Sequence, residues 1–400
     1  MAKRILILTD GIDPPAFAPR VVSLCRYLCD KGYQCTVFSD DIQTLTPFSA
    51  DFGEWYHTSY YQTNGSKLHY LKDKLLGARE KAFQAFVEQT VSVSQYDLIF
   101  CSTCYYFPLQ TVYRLAHKYH LPYIVDLRDI AEQWGNVPFM THSSLPFQWA
   151  NKVIHKLFTA FNLERRNKIL KGAAHVVTIS PWHRDVLSQY NPNTHLIYNG
   201  FDQTDFYPKD IVSDKFILSY AGKIYNLSFR DPRLMFGAVK DLIDRGDIQR
   251  ESIEILFHTD AAAITELRQL SAAYGLKDVC RIEGYIPRQQ LLPLLHRSSI
   301  LMVLTCLSTP EGSHGIMGTK FYEALGVEKP VLCVRSDEEC LAQVIHETKA
   351  GLAGSNVEEV EAFILDKYHE WKQNGYTRQA VQNKQIFTRQ YQSQQIEALL

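Results

Sequence analysis

Residues 300–334 read ILMVLTCLSTPEGSHGIMGTKFYEALGVEKPVLCV and carry the clearest fold signal in the chain. An apolar run of strand character at 300–304 leads through a glycine-containing loop into a helical pattern, and a second apolar run follows at 331–334. Short buried strands joined by helices are typical of parallel sheets with crossover helices. The stretch therefore predicts a strand, a loop, a helix and a second strand of an α/β fold.

The same alternation extends from this unit towards both ends of the chain. It predicts further strands at 216–221, 253–258 and 281–283 in the second half, and at 5–9, 35–39, 98–102, 123–126, 176–180 and 196–198 in the first. Between the first two strands of the chain, apolar residues recur at helical spacing and stop at Lys31 and Gly32, a basic last turn with a glycine end. We therefore expect two open α/β sheets.

The chain is long enough for two domains. It has 400 residues, of which 46% are hydrophobic, and single hydrophobic cores rarely grow to that size. Aspartates and Pro208 interrupt the pattern at 201–214, where we place the joint. The expected units are an N-terminal Rossmann-like domain over 1–205 and a C-terminal Rossmann-like domain over 206–378.

Composition and the absence of long apolar runs limit the class of protein and its expected location. The 42 Lys and Arg residues against 43 Asp and Glu residues lack the excess positive charge of a general nucleic-acid binder. The nine cysteines are scattered and odd in number, which indicates buried thiols in a reducing compartment, and we expect Cys101 and Cys104 to pack in a core rather than hold a metal. The apolar run at 5–8 is too short for a signal peptide, and no run is long enough to span a membrane, so we expect a cytoplasmic protein that is at most peripheral.

Two basic segments of the first half have two alternative interpretations. Residues 67–81 and 152–171 are rich in Lys and Arg. One interpretation is that each segment is a solvated helix face. The other is that each is a surface for anionic lipid headgroups or for a diphosphate-linked acceptor, and the protein would then contact the membrane peripherally.

Candidate functional residues of the first half follow its predicted strands, where open parallel sheets bind ligands. The loop after the first strand lacks the glycine pattern of a dinucleotide site, and Arg20 at its end is either a phosphate or carboxylate contact or a surface arginine. After the strand at 123–126, Arg128 and Asp129 are either an acceptor-activating and sugar-orienting group or a structural ion pair of Arg128 with an acidic neighbour.

The second half offers a cationic loop after the strand at 216–221. Gly222, Lys223 and Arg230 stand just before the next predicted helix. Cations beside exposed backbone amides form a pocket for a diphosphate, and the alternative is that both side chains are simply solvated.

The loop before the helix at 319 carries the second group of candidates. Gly312, Gly315 and Gly318 allow backbone amides to approach a ligand closely, and Thr319 is predicted to cap the helix. Lys320 and Glu323 lie on one face of the first turn, where Lys can neutralise phosphate and Glu can accept hydrogen bonds from ribose hydroxyls. The alternative is an ion pair between these two side chains.

These motifs together resemble the retaining GT-B glycosyltransferases of the family 4 type (glycosyl transferases group 1), over nearly the whole chain. The sequence GTKFYEALG at 318–326, followed by KPVL at 329–332, is similar to the family element P-x-K-x-x-E-x-x-x-x-x-K-P-V, with Gly318 in place of the proline. IYNGFD at 197–202 and EGYIP at 283–287 support the resemblance. DLRD at 126–129 resembles the acceptor-side loop of members that build bacterial surface polysaccharides.

The resemblance implies two Rossmann-like domains facing a cleft that holds a nucleotide-sugar, with a UDP-sugar favoured. It further implies transfer of a hexose-like sugar to a glycan or lipid-linked acceptor with retention, in polysaccharide or glycoconjugate biosynthesis. Glu323 would hold the ribose, while Lys223, Arg230, Lys320 and the amides at 315–319 would stabilise the leaving diphosphate without a metal or another cofactor. The C-terminal segment 379–400 would pack back on the first domain.

Two departures from the family pattern leave the substrate open. The first glutamate of the family's usual pair falls at Gly315, so the donor sugar, the base and the acceptor are not defined, and whether Glu311 replaces that glutamate stays open. Pro14-Pro15-Ala16-Phe17 stands where a diglycine is often found. The alternatives are a nucleotide-sugar epimerase or hydrolase on the same fold, or a non-catalytic donor-binding subunit of an assembly complex.

Overall fold

The computed structural model describes residues 2–12, 19–40, 56–59, 61, 76–134, 147–224, 226–305, 313–335 and 339–400. The chain forms two compact α/β units. The first comprises Met1–Tyr198 and Arg389–Leu400, and the second comprises Asn199–Thr388.

The N-terminal unit is built on a seven-stranded parallel sheet. Its strands are β1 (Arg4–Thr9), β2 (Gln34–Asp40), β3 (Tyr56–Ser59), β4 (Leu98–Cys104), β5 (Tyr123–Asp129), β6 (His175–Thr178) and β7 (Thr194–Leu196). They lie side by side in the order β3-β2-β1-β4-β5-β6-β7. The side chains of Ile5, Leu6, Ile7 and Leu8 are fully buried, because helices cover both faces of the sheet.

The helices of this unit follow the strands in alternation. They are α1 (Pro19–Asp30), α2 (Ala78–Thr90), α3 (Leu109–Tyr119), α4 (Gln148–Gly172) and α5 (Pro181–Leu187), with a 3₁₀ turn at Ala131–Trp134. The start of α5 is encoded locally: Ser180 Oγ accepts a hydrogen bond from His183 N at 3.4 Å, and Pro181 occupies the first turn.

The C-terminal unit contains a six-stranded parallel sheet. Its strands are β8 (Phe216–Ala221), β9 (Ile253–His258), β10 (Cys280–Glu283), β11 (Ile300–Leu304), β12 (Val331–Val334) and β13 (Gly351–Gly354), in the order β10-β9-β8-β11-β12-β13. Its helices are α6 (Arg233–Asp244), α7 (Ala261–Ala273), α8 (Arg288–Arg297), α9 (Thr319–Val327), α10 (Cys340–Thr348) and α11 (Val357–Asn374).

The last helix, α12 (Arg389–Glu397), belongs to the N-terminal unit and packs on α1. Ile396 is 1% exposed in the core below α1, and Tyr27 Oη donates a hydrogen bond to Glu397 Oε2 at 2.6 Å. Within the returning segment, residues 379–383 are not helical and only Arg389–Leu400 joins the first unit.

The predicted strands agree closely with the observed ones in the C-terminal unit, where four have the predicted bounds. The sequence pattern missed β3 and β13. Tyr56–Ser59 lacks a buried apolar run, and Gly351–Gly354 contains two glycines, which disfavour strands. A Cβ at Gly351 would lie 2.0 Å from the Val331 carbonyl oxygen, so this glycine permits the close pairing of β13 with β12.

Two bounds that affect the candidate site differ from those predicted. The units divide after Tyr198 rather than after 205, because Phe201 N bonds to Phe387 O at 3.0 Å within the second unit. The predicted strand at 123–126 is too short: β5 continues to Asp129, since Leu127 is fully buried and pairs with Thr103 and Thr178. Arg128 and Asp129 therefore end a strand rather than occupy the loop after it.

Two further expectations concern membranes and cysteines. Across the described residues, no helix is both long and apolar enough to cross a bilayer. Cys101 lies in the core of the N-terminal unit, and burial raises its pKa. No cluster of three or more His, Cys, Asp or Glu side chains suited to a metal occurs in the described ranges.

We expect Ile396→Ala to destabilise the N-terminal unit by about 2–5 kcal/mol, because it removes a buried side chain that joins α12 to α1. Hydrogen exchange of the β1 and β2 amides measures this local stability. The matched control is Gln395→Ala, an exposed position of the same helix, which should change exchange little. Equal protection in the two variants would show that α12 does not stabilise the unit.

Candidate functional site

The candidate residues lie at the switch points of the two sheets. In each sheet the chain runs outwards in opposite directions from one pair of adjacent strands, which are β1 and β4 in the first unit and β8 and β11 in the second. Open α/β sheets bind ligands at the carboxyl ends of strands beside such a switch point. The loops that follow these strands are therefore the places where each unit can hold a ligand.

Gly222, directly after β8, provides the floor of the candidate site in the C-terminal unit. Its N–H donates to His258 O at 2.8 Å, which fixes the loop to the end of β9. A Cβ at Gly222 would lie 1.9 Å from Lys320 Cε and 2.1 Å from Lys320 Nζ. The Lys320 side chain therefore crosses directly over the Gly222 backbone, a path that only glycine leaves open.

Lys320 lies in a cationic environment. Its Nζ is 5.3 Å from the centroid of the Tyr220 ring. Burial and the charge of Arg230 lower the pKa of Lys320 to about 8, although Glu323 acts in the opposite direction. Among the described residues neither Lys320 nor Arg230 has an ion-pair partner, and Arg230 Nη1 donates to Leu304 O at 2.6 Å. Two neighbouring cations that form no ion pair with an acid are unfavourable, and a bound anion would relieve this cost.

The alternative interpretation, an ion pair between Lys320 and Glu323, is wrong: both residues are described, and their charged groups do not form one. Lys320 points to Gly222 and Tyr220 instead of along its own helix. The second lysine of the motif, Lys329, is structural, since it is 2% exposed and its Nζ donates to Thr377 O at 3.0 Å.

The start of α9 differs from the prediction. Thr319 is the first helical residue, and Gly318 occupies the N-cap position with φ −68° and ψ 132°. Thr319 is therefore not the cap, because the extended conformation that precedes the helix is already adopted one residue earlier. Gly318 has no side chain with which to cap the helix, so the N-cap residue leaves the amides of Thr319 and Lys320 to other partners.

Gly315 is held by a residue that the sequence pattern missed. Its φ is 65°, and its N–H donates to Glu339 Oε2 at 3.4 Å. Glu339 Oε1 is also 2.9 Å from His314 Nδ1. Glu339 stands just before α10, the helix after the neighbouring strand β12, which is the one signal that could have suggested it.

Lys223 and the loop that carries it are positioned by backbone contacts. The Lys223 side chain is exposed, while its carbonyl accepts a hydrogen bond from Tyr220 Oη at 2.9 Å. Ile224 N donates to Asp260 Oδ1 at 2.8 Å. The structure thus brings Gly222, Arg230 and Lys320 together and leaves Lys223 at the exposed edge. Glu311 lies outside the described residues.

In the N-terminal unit Arg20 is buried, so its interpretation as a surface arginine is wrong. Its side chain is 7% exposed, its Nε donates to Asp126 Oδ2 at 3.0 Å, and its Nη1 donates to Tyr198 O at 2.6 Å. Ser102 Oγ bonds to the same Asp126 oxygen at 2.8 Å. A bound anion would therefore compete with a buried ion pair for Arg20.

Arg128 pairs with Asp10, a residue from the loop after β1, and not with an acidic neighbour in sequence. Burial opposes its charge, but Asp10 and other nearby acids raise the Arg128 pKa overall. Asp10 Oδ2 also accepts from Cys104 N at 2.9 Å. No local sequence pattern indicates this pair, because Asp10 follows β1 and Arg128 lies on β5, and β4 separates these two strands in the sheet.

Asp129 completes the cluster at the end of β5. Gln133 Nε2 donates to Asp129 Oδ1 at 3.1 Å, and Cys104 Sγ lies 3.5 Å from Asp129 Oδ2. Burial raises the pKa of Asp129. A carboxyl group with a raised pKa next to an ion pair is suited to accepting or orienting a hydroxyl proton.

We compared the chain with protein-family models, curated sequences and solved structures. Residues 18–205 match the family model described as Glycosyltransferase Family 4. The matched residues span most of the N-terminal unit, from α1 through β7. A comparison with curated protein sequences gives no match.

Solved structures share the architecture over almost the full length. HepE from Anabaena, in complex with UDP and glucose, is 16% identical with a TM-score of 0.65, covering 99% of this chain and 98% of HepE. Sucrose-phosphate synthase from Thermosynechococcus elongatus is 14% identical, with a TM-score of 0.62 and coverage of 99% and 98%. A putative UDP-N-acetylglucosamine 2-epimerase from Listeria monocytogenes is 14% identical, with a TM-score of 0.52 and coverage of 99% and 95%. The chain thus has the GT-B fold.

We expect Gly222→Ala to displace the Lys320 ammonium and to weaken pyrophosphate binding roughly tenfold or more, the loss typical of one charge-assisted hydrogen bond. Gly284→Ala is the matched control, because a Cβ there meets nothing within 4 Å. Isothermal titration calorimetry with pyrophosphate measures both variants. Equal affinities would mean that Lys320 does not need its path across Gly222.

A second expectation concerns pH. Because the Lys320 pKa is about 8, its ammonium is lost as the pH rises through that value, and pyrophosphate affinity should fall over the same range. Lys320→Arg keeps its charge throughout and serves as the reference. The protonation of pyrophosphate changes with pH in the same way for both proteins. The ratio of its affinity for the unaltered chain to its affinity for Lys320→Arg therefore reports on the protonation of Lys320. A ratio that stays constant from pH 7 to about pH 9 would contradict the assignment.

Proposed function

We propose that the chain is a glycosyltransferase that moves a sugar from a nucleotide-sugar, with a UDP-sugar favoured, to a glycan or lipid-linked acceptor. The observation that carries this proposal is the Lys320 ammonium, which lies across Gly222 beside Arg230 without an acid partner among the described residues. HepE, whose fold is similar, has been solved with UDP and with UDP-glucose. The family 4 match over 18–205 supports the same class of reaction.

In this proposal the C-terminal unit holds the donor. Lys320, Arg230 and the uncapped amides at the start of α9 bind the diphosphate and stabilise the charge that develops on it as the sugar leaves. Glu323, on the same turn of α9, accepts the ribose hydroxyls, and Lys223 at the exposed edge adds a further cation. The cationic residues supply this stabilisation from the chain itself, so we propose no metal and no other cofactor.

The N-terminal unit supplies the acceptor side in the same proposal. The Arg128–Asp10 pair orients the acceptor, and Asp129, with its raised pKa, interacts with the attacking hydroxyl. Arg20 is a positioning residue in this proposal, because its ion pair with Asp126 fixes the strand that carries Arg128 and Asp129. We further propose that the anomeric configuration is retained, that the transferred group is a hexose and that the product enters polysaccharide or glycoconjugate biosynthesis in the cytoplasm.

A second candidate is a nucleotide-sugar epimerase. The fold is also similar to that of the putative 2-epimerase from Listeria monocytogenes. Such chemistry needs a carboxylate near the sugar ring, and Glu339 brings one to the Gly315 amide although position 315 itself has no acid. The transferase has more support, because the family match falls on the N-terminal unit that would bind the acceptor.

The test is incubation with UDP-glucose, UDP-galactose and UDP-N-acetylglucosamine, followed by assay of released UDP and of isomerised sugar. A transferase releases UDP slowly by hydrolysis without an acceptor, and Glu323→Gln should weaken UDP binding roughly tenfold, since a ribose contact to a charged group is lost. Glu266→Gln, at an exposed position on α7, is the matched control.

Each other outcome has a defined meaning. Formation of a 2-epimer without UDP release favours the epimerase. Tight UDP binding without any turnover, with or without a broad acceptor panel, favours a donor-binding subunit. Failure to bind any of these nucleotides contradicts the proposal as a whole.

A further inference from the structure

The N-terminal unit contains a second polar cavity, which the proposed reaction does not use. It has a volume of about 110 Å³ and lies between α2, α3 and α4. Four arginines, Arg79, Arg114, Arg165 and Arg166, line it together with Glu80. All of these residues belong to the same compact unit. A cavity with this surplus of guanidinium groups is suited to an anion.

Two of the four arginines already have acidic partners. Arg166 is 1% exposed and binds both carboxylate oxygens of Glu132 at 2.6 Å, so it is not a surface cation of the basic segment 152–171. Arg79 pairs with Asp40, and its guanidinium lies 3.9 Å from the centroid of the Phe107 ring. These two residues form the fixed wall of the cavity.

The other two arginines are available to a ligand. Within the part of the chain that the structure describes, Arg114 and Arg165 form no ion pair. The nearby Glu80 carboxylate is occupied, because its Oε2 accepts from Thr111 N at 2.9 Å and from Thr111 Oγ1 at 2.6 Å, and burial raises its pKa. The cavity therefore has two guanidinium groups whose charge no described carboxylate balances by direct contact.

An exposed apolar row on α4 leads to the cavity. Trp149, Val153, Leu157 and Phe161, here called the α4 row, are 70%, 50%, 66% and 41% exposed. They are spaced four apart, so each side chain lies next to the following one and together they form a continuous ridge that winds slowly around the helix. The next position in the row is Arg165, whose guanidinium lies 4.6 Å from the centroid of the Phe161 ring. The row thus joins a line of exposed apolar side chains to the cationic cavity.

We propose that the cavity binds the phosphate group of a membrane lipid while the α4 row enters the interfacial layer of the bilayer. Phosphate matches the two unbalanced guanidinium groups, and the row matches the acyl boundary, as in helices that lie in a membrane surface. A soluble phosphate compound would account for the cavity but not for the row. Binding of a lipid phosphate can be tested without the proposed function. The further step, that this lipid is the acceptor of the reaction, rests on the proposed function.

The test is co-sedimentation of the full chain with phosphatidylcholine vesicles that contain or lack phosphatidylglycerol. The double variant Arg114→Gln, Arg165→Gln should bind the anionic vesicles roughly tenfold or more weakly, given the usual contribution of each basic residue near an anionic surface. Leu157→Asn should weaken binding to both kinds of vesicle. The matched controls are Arg184→Gln, an exposed arginine of α5, and Val212→Asn, an exposed valine of the C-terminal unit.

UDP affinity and circular dichroism are measured for every variant, and both should stay unchanged. The inference is supported if the double variant loses lipid binding but still binds UDP. If the unaltered chain does not bind UDP, that result bears only on the proposed function. The inference is overturned if the unaltered chain ignores anionic vesicles, or if the double variant binds them like the controls. It is also overturned if the chain binds inorganic phosphate in the cavity but does not bind vesicles. A third contrary outcome is that the unaltered chain sediments as a dimer which Leu157→Asn dissociates, because the α4 row would then be a protein interface.

Discussion

The Lys320 ammonium above the Gly222 backbone is the interaction on which the candidate donor site depends. A half-buried lysine beside an arginine is unfavourable, and the lowered pKa of about 8 expresses that cost. The surrounding loop is nevertheless fixed, since Gly222 bonds to the end of β9 and Ile224 bonds to Asp260. The scaffold therefore holds two cations in place before an anion arrives, which is the preorganisation that favours binding of charged groups.

The two sheets treat their switch points differently. In the N-terminal unit the charged side chains at this place form ion pairs with one another, as in the Arg20–Asp126 and Arg128–Asp10 pairs. In the C-terminal unit Lys320 and Arg230 have no acidic partner among the described residues. A site with balanced charges suits a neutral hydroxyl group, and a site with surplus positive charge suits a diphosphate. This difference is why we assign the acceptor to one unit and the donor to the other.

The sequence predicted the sheets well because strands buried on both faces consist of continuous apolar runs, as in β8 and β11. It missed β3 and β13, whose residues gain their conformation from pairing with a neighbour rather than from their own composition. Lys320 and Gly222 could be found because each stands next to a recognisable element. Their contact could not, since it joins the end of one strand to the start of a helix far along the chain.

The partners that the sequence missed, Asp10 and Glu339, share one cause. Each is a single acid in a loop, and only the order of strands in the sheet brings it to Arg128 or to Gly315. No local spacing encodes such a contact, because the pairing is set by packing of whole elements. The same limit explains Arg166, whose place in a basic segment suggested a surface residue, while its contact with Glu132 makes it part of the core.

Glu339 also changes the role of the glycine loop. Its carboxylate accepts the Gly315 N–H at 3.4 Å, so this amide cannot serve a phosphate while the contact persists. In the proposed donor site, the amides at the start of α9, where Gly318 offers no capping side chain, would then serve the diphosphate. The proposal therefore assigns anion binding to Lys320 and the first turn of α9. The carboxylate of Glu339 thus contacts the position where the family pattern expects a glutamate, and it does so from the start of α10.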